Sequence, residues 1–133
     1  MGAMDSSDSG YVTRPDYIVN VLARRNRFEA HAGDALLASS ERCLLVDEQD
    51  HGLVVYFPRD DVRMAALEPI DHVTRCPYKG FATHFQLPGG DKPAAWSYED
   101  PYTEMARIKD YVAFYQQRVS VTIGVATPAV SGR

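Results

Sequence analysis

The chain has 133 residues, of which 45% are hydrophobic and 24% charged, with a formal charge of −4. That length suits one domain able to bury a core without disulfides or a structural metal. No basic stripe offers a phosphate-tracking surface and no run reaches the roughly 18 apolar residues of a membrane span, so neither nucleic acid nor membrane is an expected partner, and a cytoplasmic protein is expected.

The first residues, "MGAMDSSDSG", lack the basic and apolar regions of a signal peptide. "MGAM" looks like a cloning remnant ahead of a second start, and the Ser/Asp/Gly run after it is too polar to bury anything. Residues 1–10 are therefore read as a disordered tail, residues 11–124 as a single β-rich domain, and residues 125–133 as a frayed end.

Strand-like periodicity dominates the rest of the chain. "RFEAHA" (Arg27 to Ala32) runs into Gly33 and Asp34, after which "ALLAS" resumes, the pattern of a hairpin. "RCLLVDE" (Arg42 to Glu48) and "LVVYF" (Leu53 to Phe57), separated by the polar "QDHG", form a second. Next comes "DDVRMAAL" (Asp60 to Leu67), acidic at its start and followed by Pro69, which fits a short helix or helical turn. "FATHFQL" (Phe81 to Leu87), the turn "PGGDKP" and "AAWSY" (Ala94 to Tyr98) make a third hairpin. From Thr103 the pattern fits either a helix striped by Ile108, Val112 and Tyr115 or a helical turn followed by strands; the β-rich "YVAFY" and "VSVTI" point to strands at Tyr111 to Tyr115 and Val119 to Ile123.

Cys43 and Cys76 are the only cysteines, with no CxxC, and the four histidines never fall at HxH or HExxH spacing. No metal and no cofactor is expected, and the histidines read as surface or hydrogen-bonded strand residues.

Six ordered motifs, "DYIVNVL", "ALLASSERCLLVDE", "VYFPRDDVRMAALEP", "TRCPYKGFATHF", "AAWSYEDP" and "IKDYVAFYQQRVSV", resemble the bacterial and fungal family called domain of unknown function 427 across residues 16–124. The resemblance implies a mainly β fold of the β-tent type: a compact single domain of antiparallel hairpins in two sheets at an angle, with one or two short helices. The family has no settled activity, although it has carried a nucleotidyltransferase label. Glu48 matches a glutamate that ends its strand in the family. Where relatives often place a histidine before the cysteine, this chain has Arg75, so no adjacent Cys/His pair is implied.

Apart from Glu48, the candidate site residues come from three of these motifs. In "RCPYKG", Arg75 and Lys79 are cations able to activate a Cys76 nucleophile, but strand neighbours point to opposite faces, and a cysteine is as readily a packing residue. Gly80 fits a bend. Lys79 gains a binding role through the motif resemblance, and Tyr78 joins the ligand-binding set. In "YFPRDDV", Arg59 can grip an anion in a fork, while Asp60 and Asp61 serve as helix caps or, for Asp61, as an arginine partner before any catalytic use. Tyr56 and Phe57 alternate, so one faces the core and the other a groove or solvent. In "AAWSY", Trp96 and Tyr98 share a face and form either the wall of a pocket or part of the core.

These residues fit a small-molecule-binding domain or enzyme acting on a small polar or anionic ligand, with Tyr56, Arg59, Tyr78, Trp96 and Tyr98 binding it. Glu48 or Asp61 would act as acid or base, Lys79 would stabilise negative charge and Cys76 is a candidate nucleophile. A non-catalytic homodimeric interaction module is the alternative. Nucleotidyl transfer ranks lower, because no phosphate-cradling loop is present and adjacent Asp60 and Asp61 would diverge on a strand.

Overall fold

The structure, a computed structural model, describes residues 9–12 and 14–124. The expected tails therefore lie almost entirely outside the described residues. Ten strands run in chain order: Val19–Ala23 (β1), Phe28–Ala32 (β2), Ala35–Ser40 (β3), Leu44–Glu48 (β4), Gly52–Tyr56 (β5), Glu68–Cys76 (β6), Gly80–Gln86 (β7), Pro93–Pro101 (β8), Val112–Phe114 (β9) and Ser120–Ile123 (β10). Every ladder is antiparallel, and the fold is mainly β. Backbone pairing distributes the strands over three sheets rather than two, ordered β1-β4-β5, β10-β2-β3 and β6-β7-β8-β9.

The three expected hairpins are β2/β3, β4/β5 and β7/β8, whose turns contain Gly33, Gly52 and Gly89 at positive φ. Two strands were not legible. β1 carries no clear alternation, and β6 is an edge strand exposed along nearly its whole length, with a bulge between Ile70 and Val73, so no buried face marks it. Pairing of β6 with β7 makes "RCPYKG" a fourth hairpin, in which Cys76 opposes Gly80 across Pro77, Tyr78 and Lys79.

The short helix or helical turn expected over Asp60 to Leu67 takes the form of two separate 3-10 turns, Arg59–Asp61 and Met64–Ala66. Val62 between them is extended and bridges to Ala38, and burial of Val62 and Leu67 pulls the chain out of helical geometry. The C-terminal segment contains a kinked 3-10 stretch at Thr103–Ile108 and then β9 and β10, the strand alternative, slightly shorter than expected. No helix among the described residues is long and apolar enough to cross a membrane.

Two clusters form the core. One is built on Phe28, Leu37, Phe57, Phe85, Phe114 and Val119 with Cys43 among them. The other joins Leu44, Val46, Met105 and Ile108 to Tyr56 and Tyr98. The sheet β1-β4-β5 separates them by simple alternation, since Leu44 and Val46 face the second cluster and Leu45 packs on the first. That sheet meets the four-stranded one at a single bridge, where Phe57 and Val112 exchange backbone hydrogen bonds of 2.8 Å.

Candidate functional site

Alternation also decides what faces the space between these two sheets. On β4 the in-phase set Leu44, Val46, Glu48 lies opposite Tyr56, Val54, Gly52 on β5. On β6 and β7 Thr74 and Cys76 oppose Ala82 and Gly80, and His84 opposes Trp96 on β8, with Tyr98 two residues further. Glu48, Val54, Tyr56, Thr74, Cys76, Ala82, His84, Trp96 and Tyr98 all line one cavity of about 430 Å³, closed at one end by the Pro77 to Lys79 turn.

Backbone geometry sets that turn. Gly80 has φ 118°, and a Cβ there would sit 3.2 Å from the Pro101 Cα, so glycine is needed both for the conformation and for the close approach to the end of β8. The carbonyl of Lys79 accepts from the Tyr102 N–H at 3.0 Å, and that of Pro77 accepts from the Gly10 N–H. Tyr78 stacks on Tyr17 with centroids 3.7 Å apart, and Tyr11 meets Tyr78 edge-on. Lys79 is thereby aimed inward.

Its ammonium donates to Glu48 Oε1, and both side chains are more than 90% buried. Tyr17 donates from its hydroxyl to Glu48 Oε2 at 2.8 Å, so each carboxylate oxygen has a donor. Burial alone would raise the Glu48 carboxyl, but the hydrogen bonds from Lys79 and Tyr17 and the lysine charge outweigh it and hold the group below its ordinary value. The same burial, with the Glu48 bond, pushes the Tyr17 phenol up to about 12. His51 stands 3.7 Å from Glu48 Oε2 and is largely exposed.

Lys79 Nζ also lies 3.9 Å from Cys76 Sγ. Burial raises the Tyr98 phenol, with Tyr56 and then Cys76 adding to it, and Tyr98 stays a neutral phenol beside the thiol. Tyr56 is raised by burial too, and its hydroxyl accepts from Trp96 Nε1 at 3.2 Å. The two cysteines are free and lie apart: Cys43 is wholly buried in the apolar cluster, where burial pushes its thiol up to about 12.

Of the nine candidates, seven meet here: Glu48, Tyr56, Cys76, Tyr78, Lys79, Trp96 and Tyr98. Arg59 and Asp61 do not. Arg59 instead ties its 3-10 turn to β8 and to the turn before β9, donating to Ser97 Oγ at 2.8 Å, to Glu99 Oε2 at 3.0 Å and to the Asp110 carbonyl at 2.9 Å. Asp61 accepts from Ser40 Oγ at 2.6 Å and Arg42 Nη2 at 3.1 Å, the arginine pairing expected of it. It is not a helix cap, because the N-cap position is Pro58 and carries no side-chain hydrogen bond.

Sequence reasoning passed over three residues. Tyr17 precedes the recognisable strands, and nothing local links it to Glu48. His84 is hydrogen-bonded as expected of a strand histidine, with Nε2 2.9 Å from Thr74 Oγ1 and Nδ1 3.2 Å from the Tyr115 hydroxyl, yet it also lines the cavity with Tyr115. Its phase with Ala82 on β7 was the available signal. Burial and neighbouring His72 lower its pKa, which keeps the imidazole neutral. Among the described residues no three His, Cys, Asp or Glu side chains are grouped to hold a metal ion.

Fold and cavity together define an antiparallel β domain with a partly buried polar and aromatic cleft. Residues 20–124 match the profile of the family described as domain of unknown function (DUF427), and the chain belongs to that family. No curated protein matches the chain.

Proposed function

We propose that the chain binds a small polar or anionic molecule in this cavity and acts on it as an enzyme or receptor. The observation that carries the reading is convergence: side chains from four motifs spread between Glu48 and Tyr98 face one cavity of about 430 Å³. That volume lies within the range of small-ligand sites, which pair apolar walls with a few placed polar groups. Here Tyr56, Trp96, Tyr98, Val54 and Ala82 supply walls, and Lys79, Glu48, His84 and Cys76 supply chemistry. A buried ion pair lined up on a cavity has a cost in desolvation that an apolar pair would avoid, which favours a use for it.

Nucleotidyl transfer is disfavoured because Asp60 and Asp61 lie outside the cavity and Asp61 is occupied by Ser40 and Arg42. A homodimeric module remains a second reading, supported by exposed Val73 and Phe81 on the β6-β7 edge hairpin. Two separate free thiols suit a reducing compartment such as the cytoplasm. The test is a thermal-shift screen of small carboxylates, phosphates and polar heterocycles against the wild type and Trp96→Ala. Saturable stabilisation lost in Trp96→Ala supports the reading. Failure of the whole panel, together with a dimer by light scattering that dissociates on Val73→Lys, favours the interaction module.

A further inference from the structure

The chain carries 14 basic side chains, of which only Lys79, Lys92 and Lys109 are lysines. Lys92 and Lys109 are exposed. The one buried lysine is the one in the cavity. Elsewhere arginine pairs with carboxylates, at Glu41, Asp61 and Glu99. Arginine would pair with Glu48 in a fork and could never give up its proton, whereas a lysine amine can become neutral and nucleophilic. A lysine at this place offers chemistry that charge pairing alone does not require.

Resting on the small-molecule reading above, we propose that Lys79 is a covalent nucleophile that forms a Schiff base with the carbonyl carbon of a small aldehyde or ketone bound in the cavity, with Glu48 as its proton acceptor and donor. The parts needed are adjacent. Lys79 Nζ donates to Glu48 Oε1, so the carboxylate is placed to take the ammonium proton. Tyr17 holds the other oxygen at 2.8 Å and fixes the carboxylate's orientation. Tyr56, Trp96 and Tyr98 line the same cavity and offer an aromatic wall to the substituents of the carbonyl.

The step balances. Glu48 takes one proton from the Lys79 ammonium; the freed lone pair attacks the carbonyl carbon as the C=O π bond breaks, and the oxygen takes the proton back from Glu48. The carbinolamine nitrogen passes its next proton through Glu48 to the leaving hydroxyl, and water departs. Lysine ammonium plus carbonyl thus gives protonated imine plus water, with no oxidant or reductant. Charge is conserved at +1 on nitrogen.

The test uses the full chain with pyruvate and with benzaldehyde as probes, each trapped by cyanoborohydride, followed by intact mass and peptide mapping. The expected result is a single saturable adduct mapping to Lys79, formed faster than at Lys92 and Lys109. Glu48→Gln should slow labelling on the order of 100-fold, the scale of general acid–base assistance. Lys79→Arg, which keeps a cation opposite Glu48, should lose the adduct; if that variant fails to fold, mapping of the wild type still decides the site. Labelling only at Lys92, Lys109 or the amino terminus overturns the proposal. Saturable stabilisation by a probe without an adduct overturns the covalent step alone and leaves the binding reading standing. If Lys79 stays unlabelled and neither the probes nor the polar panel shifts the melting temperature, both fall.

Discussion

The two cores use similar strands for opposite ends. Around Phe28, Phe57 and Phe114 the packing is apolar, with Phe57 and Phe114 meeting edge-on at 5.5 Å, and the buried hydroxyl opposite Phe28, that of Ser40, is spent on Asp61. Across the β1-β4-β5 sheet the second cluster joins aliphatic side chains to Tyr56 and Tyr98 and opens onto a cavity lined by a buried ion pair, a hydrogen-bonded histidine and a thiol. Each region also has one cysteine, Cys43 in the closed core and Cys76 in the open one. The comparison shows that burial by itself does not distinguish scaffold from site; what distinguishes them is whether the buried groups carry polar atoms that face empty space.

Equal disruptions in the two clusters should have different consequences. Phe28→Ala should cost about 3–5 kcal/mol from cavity formation, and ligand affinity measured on the remaining folded fraction should be unchanged. Lys79→Met should cost a comparable amount, about 3–5 kcal/mol, because it leaves the Glu48 carboxylate buried without its cation. Adding Glu48→Leu to Lys79→Met should recover much of that loss in urea melts, and no second change should do so for Phe28→Ala by removing a charge. If Lys79→Met is harmless, the pair is not a closed buried unit.

Thiol labelling sharpens the same contrast. With iodoacetamide on the native chain Cys76 should react and Cys43 only on unfolding, since Cys43 is wholly buried with its thiol pushed up to about 12. Equal native rates, read by mass spectrometry, would erase the distinction. Tyr56→Phe removes the acceptor of the Trp96 N–H and should cost about 1 kcal/mol while weakening any ligand that rests on Trp96.

The smallest effect is with pH. Burial and His72 lower the folded pKa of His84 below 6.5, so the unfolded chain binds that proton first and stability declines as pH falls from 6.5 through the folded value. Glu48, lowered below 4.5, adds a second decline as pH falls from 4.5 through its folded value. His84→Gln should flatten only the first step and Glu48→Gln only the second. A stability profile flat between pH 7 and 5 in the wild type would remove the histidine from the polar side of the comparison.

Much of the strand map was readable because hairpins announce themselves through a glycine turn between alternating runs, as at Gly33, Gly52 and Gly89. β6 was not, because an exposed edge strand has no buried face to impose alternation. Asp60 to Leu67 carried a helix signal that Val62 overrode by bridging to Ala38. In the site, Tyr56, Trp96 and Tyr98 were legible from aromatic type and strand phase, and Lys79 from its motif. Arg59 was misplaced because nothing local reveals that Ser97, Glu99 and the Asp110 carbonyl, all far along the chain, claim its guanidinium first.

A mainly β domain, its hairpin turns and the residue types from which a site is made follow from periodicity and turn chemistry, which are local properties of the chain. Which of those residues meet is a matter of long-range packing. Tyr17 reaches Glu48, and Lys79 reaches the same carboxylate, from 31 residues away on opposite sides along the chain. Such pairings depend on how sheets are brought face to face by burial of both cores, and that arrangement is set by the whole chain rather than by any window of it.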